Sequence, residues 1–319
     1  MIPLAPRPPP LVKDLVVIAD EFGISAQCNE VIVELFKKNA ISCVSLLVNG
    51  KHSEAAAKLV VKHTIPSGLH FNIVDGNPVC INLSLVASLI DRNGRFFGER
   101  FWSKEFNVVH VENELKAQVQ RYRDMVGKTP LRVDGYRHCH VHQDVFQKFA
   151  MVLQRLRIRR TRLPDEYKLS EPAAEEAAAV AAAVSDKRPG RTSSRYHGPK
   201  MLMFNIKLHE MSEKVRSTFK RYGLVYADVF IGQEFVGLAM DKDRLKMLLV
   251  EVYSKHTNCE LMVHPGAPCQ DKIDGLNGEP SVGEFWKDSG RAFEASELMS
   301  RDMKYFYYVS GIKLRGDFV

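Results

Sequence analysis

Short β-branched runs alternate with segments of helical spacing along this chain. Leu15-Val16-Val17-Ile18-Ala19 is an unbroken apolar run that stops at the charged pair Asp20-Glu21. Such a run reads as a strand buried on both faces. Over residues 25–38 the apolar positions Val31, Ile32, Leu35 and Phe36 predict a helix. Residues 42–48 predict a second strand, closed by Asn49-Gly50, residues 53–63 a helix, and residues 68–74 a third strand. The pattern resumes after a loop rich in Gly and Phe (91–106). A helix is predicted over 111–126, a strand opening at 131–134, a helix over 144–156 and an extended stretch over 157–163. Later strands are predicted at 225–231, 260–263 and 312–314. Alternation of this kind favours parallel strands with crossover helices. It predicts an α/β fold, an irregular TIM-barrel-like (β/α) barrel in a single domain. An open doubly wound sheet is the alternative, but no GxGxxG follows a strand.

Two segments break the rhythm. Residues 1–14 form a Pro-rich leader without the apolar core of a secretory signal. Residues 171–200 begin with an Ala/Glu run and continue as a basic, Pro/Gly-containing stretch. That composition predicts an exposed helix and loop inserted within the domain that spans 15–319. The six cysteines form no CxxC pair or regular framework, so free thiols in a reducing, cytoplasmic setting are expected. No apolar run approaches the roughly 20 residues of a membrane span. The net charge of +7 sits largely in 155–160 and 187–195. Without a nucleic-acid motif it does not predict a nucleic-acid partner.

The chemistry lies in four polar clusters at the ends of apolar runs. Asp20 and Glu21 are adjacent, so on a regular strand they would point to opposite faces. Only a sharp turn, expected at Gly23, lets both reach one pocket. Paired carboxylates beside a cation can divide the work of metal binding and proton transfer, although acids here would also suit a helix N-terminus. Period-two alternation groups Gly68, His70 and Asn72 on one face. It likewise groups Asp134, Tyr136, His138, His140 and His142 on one face of an extended segment. Three buried imidazoles are costly unless each finds a partner, so a polar pocket, a metal or a surface His run must explain them. His264 follows Leu261-Met262-Val263 and precedes Pro265-Gly266, where it either caps a turn or meets a leaving group.

Together these clusters resemble the YdjC-like carbohydrate deacetylase family. The matching segments are Ala19-Asp20-Glu21-Phe22-Gly23, Ser45-Leu46-Leu47-Val48-Asn49-Gly50, Gly68-Leu69-His70-Phe71-Asn72, the segment from Asp134 to His140, Arg162-Leu163-Pro164 and the segment from Glu260 to Gly266. The resemblance implies hydrolysis of acetyl groups from acetylated amino-sugar oligosaccharides, with a divalent ion, magnesium or alternatively zinc. It implies Asp20 as catalytic acid/base and His264 as the pocket histidine serving the leaving amine. Glu21 and His70 are implied metal ligands, Tyr136 stands where the family carries its second histidine ligand, and His138, two residues on and expected on the same face, is the substitute that completes the metal set. Asn72, Asp134, Tyr136, His140 and Arg162 are expected on the substrate side. Two departures stand out. Glu21 replaces an Asp, which extends the carboxylate by a methylene. Tyr136 replaces a His, and a phenol is a poor neutral ligand. Arg137 adds a cation that would repel a metal or hold an anion. A catalytically impaired protein that binds a sugar or anion in the retained cleft is therefore the alternative, and a phosphoester hydrolase a third. No membrane partner is expected, and a homodimer is left open.

Overall fold

The computed structural model describes residues 13–166, 199–279, 281 and 283–317. Its centre is β1 (Lys13–Phe22), buried throughout from Leu15 to Phe22. The apolar run explains this: a strand covered on both faces needs no alternation. β1 pairs in parallel with β2 (Cys43–Leu46) on one side and β6 (Asn258–Val263) on the other. β3 (Ser67–Phe71) and β4 (Val133–Gly135) extend the sheet beyond β2, and β5 (Val229–Ile231) extends it beyond β6. The order is β4-β3-β2-β1-β6-β5, and β7 (Ile312–Leu314) pairs with the first residues of β1. The sheet curls into a half-barrel. Between its two edges runs the segment around 160–166, bridged in parallel by Arg160 to Arg132 and Val225, and by Glu166 to Phe230.

Nine helices among the described residues surround the sheet. α1 (Ala26–Lys37) is capped by Ser25, whose side chain accepts from the Cys28 N–H, and it buries Cys28, Ile32 and Leu35. α2 (Ser53–His63), α3 (Val108–Val126) and α4 (Phe146–Arg155) follow the predicted pattern within a few residues. α5 (Pro199–Arg221), α6 (Lys242–Lys255), α7 (Glu284–Lys287), α8 (Gly290–Met299) and α9 (Arg301–Ser310) lie before or between the later predicted strands, where the sequence reading placed no helix. No described helix is long and apolar enough to cross a membrane.

Two predicted segments differ. The segment from Asp134 to His142 does not stay extended: β4 ends at Gly135 and a 3-10 turn, Tyr136–Val141, follows. Arg137 and His138 take left-handed backbone angles there (φ 46° and 57°), so the period-two grouping of Tyr136, His138, His140 and His142 does not hold. The stretch 157–163 forms no named strand, only the bridge at Arg160. Apart from residues 13–14 and 199–200, the Pro-rich leader and the Ala-rich insertion lie outside the described residues.

Candidate active site

The carboxyl ends of the strands carry the chemistry. At the end of β1 the register with β2 shifts between Ala19 and Phe22, and Glu21 itself adopts φ 62°. The turn that frees both acids from strand alternation thus occurs at Glu21, two residues before Gly23 (φ 107°). A non-glycine residue held there costs on the order of 1–3 kcal/mol.

Asp20 is buried and accepts from both Nη atoms of Arg162, at 2.6 and 2.9 Å. Arg162 Nε donates to Glu260 at 2.5 Å, and Arg132 Nη2 donates to the other oxygen of Glu260 at 2.7 Å. Arg132 Nε lies 3.5 Å from Asp134, which accepts from Ser45 at 2.7 Å. Glycines make room for this network. A Cβ on Gly68 would fall 2.4 Å from Arg132 Cγ, and one on Gly135 would fall 2.5 Å from His140 Nδ1. Three buried carboxylates face two buried guanidiniums, which leaves one negative charge uncompensated. Buried charge of this kind demands a partner.

His70 supplies one. Its Nδ1 pairs with Asp134 Oδ1 at 2.5 Å, and its Nε2 lies 3.8 Å from Asp20 Oδ2. Burial alone would lower the His70 pKa, but Asp20 and Asp134 overcome it and raise it. Asp134 is held well below the usual carboxylate range: burial is outweighed by Arg162 and His70. Candidate ligand atoms of Asp20, His70 and Asp134 lie within 4.8 Å of one another, and this buried group could hold a metal ion. The donor chemistry fits a divalent ion. An imidazole whose Nδ1 is fixed by a carboxylate presents Nε2 in the orientation metal-binding histidines adopt. Asp134 Oδ2 has no hydrogen-bond partner.

The residues expected as ligands are placed around this group. Glu21 Oε2 accepts from Trp286 Nε1 at 2.5 Å and from Arg291 Nη1 at 2.9 Å. Burial raises the Glu21 pKa, with Arg291 offsetting part of the effect. Tyr136 is buried, its ring edge-on to His70 (5.7 Å between centroids) and tilted against Trp286 (6.1 Å). His138 Nε2 meets the side-chain amide of Gln233, and its Nδ1 has no partner. Burial lowers the His138 pKa well below its ordinary value. Among the described residues, Glu21 and His138 do not join His70 in a group of donor atoms as close as that of Asp20 and Asp134.

The remaining residues divide between the mouth and the frame. His264 is partly exposed, stands edge-on to Phe285 and has no partner for Nδ1. Burial of the ring pulls its pKa down to about 3, so it is neutral at pH 7. His140 is fully buried, with Nε2 donating to the Arg162 carbonyl at 2.9 Å. His142 packs among Phe101, Trp102 and Phe106. The Asn72 side chain donates to Asn49 and the Asp75 carbonyl and accepts from the Val74 and Asp75 N–H groups. This spends its amide on the loop after β3. Arg137 lies over the Tyr136 ring and 3.5 Å from Asp75.

Several residues of the site carried no clear sequence signal. Arg132 reads as an ordinary strand position, Glu260 stands out only as the first residue of a segment that matches the family, and Trp286 and Arg291 lie in a region with no predicted element. Glu294 accepts the backbone N–H of His264 at 2.6 Å and of Gly237 at 2.9 Å. Glu166 accepts those of Gly232 and Gln233, each at 3.0 Å, which sets Gln233 beside His138. A polar residue two positions after a Pro (Glu166) or midway along a helix (Glu294) gives no hint of such a distant partner.

The fold and the site define a single-domain α/β protein with a curled parallel sheet and a buried acid–imidazole centre at the strand ends. The chain belongs to the YdjC-like protein family, whose profile matches residues 14–308. It is 36% identical over 310 residues to a mouse (Mus musculus) protein named carbohydrate deacetylase, covering 94% of this chain and 92% of that one. A zebrafish (Danio rerio) protein of the same name is 31% identical, covering 96% and 98%. A solved Enterococcus faecalis structure, described as a candidate cellobiose-phosphate cleavage protein, superimposes with a TM-score of 0.68 at 18% identity. It covers 95% of this chain and 97% of its own. At that identity it bears on the fold alone.

Proposed function

We propose that this chain is a carbohydrate deacetylase, a hydrolase that removes acetyl groups from acetylated amino-sugar oligosaccharides. The observation that carries the reading is the approach of Asp20 to His70 Nε2, at 3.8 Å, with Arg162 gripping the carboxylate from behind. The names of the mouse and zebrafish relatives support the substrate class. Asp20 takes the proton of the attacking water. Arg162 fixes its orientation, and each oxygen keeps a second lone pair for the reaction. Asp134 and Ser45 hold His70 in one orientation. His264 stands where it would stabilise or protonate the departing amine. His70 with the Asp20 and Asp134 carboxylates would hold a divalent ion, magnesium or zinc, which when bound supplies Lewis-acid polarisation of the water or the acetyl carbonyl. Acetate release from N-acetylglucosamine oligomers tests the reading. The unaltered chain releases acetate and Asp20→Asn does not; no release from either, with ion added, would overturn it.

A second reading is favoured by one specific observation. Arg291 and Trp286 already occupy Glu21, and Tyr136 replaces an imidazole. On this reading the cleft binds a sugar or anionic ligand without turnover. Calorimetric binding of the oligomer with no acetate released would select it.

A further inference from the structure

Behind the site lies a pair of cysteines that the proposed reaction does not use. Cys28 sits in the first turn of α1 and Cys269 in the loop after β6, 241 residues later. Their sulfurs are 3.8 Å apart, and both side chains are buried. The loop that carries Cys269 also carries His264, and it is stitched to α7 and α8. Cys269 N–H donates to the Trp286 carbonyl and Gly266 N–H to the Arg291 carbonyl. Arg291 is 1% exposed; its Nη1 is spent on Glu21, while Nε and Nη2 have no hydrogen-bond partner. Those idle donors share a space with the thiol. A Cβ on Gly266 would fall 2.8 Å from Cys28 Sγ and 3.1 and 3.2 Å from Arg291 Nε and Nη2. A buried guanidinium edge beside a thiol, at the start of a helix, is the environment that favours a thiolate.

We propose that Cys28 and Cys269 form a redox-active dithiol that a small peroxide converts reversibly to a disulfide, tying α1 to the loop that carries His264. The Cys28 thiolate attacks one oxygen of hydrogen peroxide, the O–O bond breaks, Cys28 becomes a sulfenic acid, and the departing hydroxide takes up the proton that the thiol gave up on ionising and leaves as water. The Cys269 sulfur then attacks the sulfenic sulfur, the S–O bond breaks, and a second water leaves. Two thiols supply two electrons and one peroxide accepts them. The sulfurs must close to the roughly 2.05 Å of a disulfide, a movement the loop at Pro265-Gly266-Ala267-Pro268 can supply. The hydrogen bond with Cys269 lowers the Cys28 pKa, with Arg291 adding to it against the burial penalty. By contrast, burial pushes the Cys43 thiol up to about 12.

The test uses the unaltered full chain and reads thiols, so it stands apart from whether deacetylation occurs. After peroxide, differential alkylation and peptide mapping should show two of the six thiols lost. One Cys28–Cys269 cross-linked peptide pair should appear, and both thiols should return with dithiothreitol. Cys269→Ser should abolish the cross-link and leave Cys28 to oxidise beyond recovery by dithiothreitol. The proposal is overturned if Cys28 and Cys269 both remain alkylatable at a peroxide dose that oxidises the more exposed Cys80. It is equally overturned if both end as separate sulfinic acids in the unaltered chain.

Discussion

Arg162 holds both oxygens of Asp20 while its Nε reaches Glu260, so one buried guanidinium ties the end of β1 to β6. Its loss leaves the buried Asp20 without a hydrogen-bond donor among the described residues and Glu260 with Arg132 alone. Arg162→Met should lower unfolding stability by roughly 3–5 kcal/mol, the cost of breaking a buried pair. Urea titration followed by circular dichroism checks this. A change under about 1 kcal/mol would mean that the carboxylates find other partners.

His264 is half-buried beside Phe285, and its Nδ1 has no hydrogen-bond partner. His264→Ala should lower kcat by about 10²–10⁴, with a smaller effect on KM. An unchanged kcat would remove it from the reaction.

The occupied Glu21 and the phenol at 136 make metal affinity the sensitive quantity. Glu21→Asp shortens the reach toward Trp286 and Arg291, and Tyr136→His supplies an imidazole beside His70. The double variant should bind zinc or magnesium at least tenfold tighter than the unaltered chain by isothermal calorimetry. Chelator treatment should abolish acetate release, and re-addition of the ion should restore it. No gain in affinity would show that position 136 does not face the ion.

Glu294 gives a pH prediction with a definite sign. Burial raises its pKa to about 8, although two backbone N–H groups pull the other way. In the unfolded chain a glutamate titrates near 4.3. Between these values the folded state holds the extra proton, so this group lowers stability as pH rises through that window. Glu294→Gln removes the contribution. Its stability relative to the unaltered chain should therefore improve by up to about 1.4 kcal/mol per pH unit from pH 5 toward 8. Parallel denaturation curves at several pH values decide it; a constant difference would place the Glu294 pKa near that of the unfolded chain.

Much of the frame was legible because it rests on local pattern. The run at 15–19, the helix 53–63 and the final strand 312–314 stand where periodicity places them. The segment after Asp134 misled, because alternating imidazoles look like a strand whether or not the backbone stays extended. Left-handed angles at Arg137 and His138 re-aim them, and no residue type there announces it. Asp20, His70 and Asp134 stood out as acids and imidazoles at the ends of apolar runs, and the chain does bring them together. Arg132, Glu260 and Arg291 did not, since their partners lie 128, 98 and 270 residues away and only the curled sheet creates those contacts.

The twist at Glu21 has a cost that a glycine would relieve. A chain selected for ease of folding alone would carry Gly at that position, where a left-handed backbone is free of Cβ strain. Keeping a carboxylate there means that the molecule accepts a weaker scaffold to hold charge beside its histidine. Attempts to harden this protein by consensus-style loop repair should therefore leave position 21 untouched, because a glycine there would ease the backbone yet leave the buried donors of Arg291 and Trp286 without the carboxylate they hold.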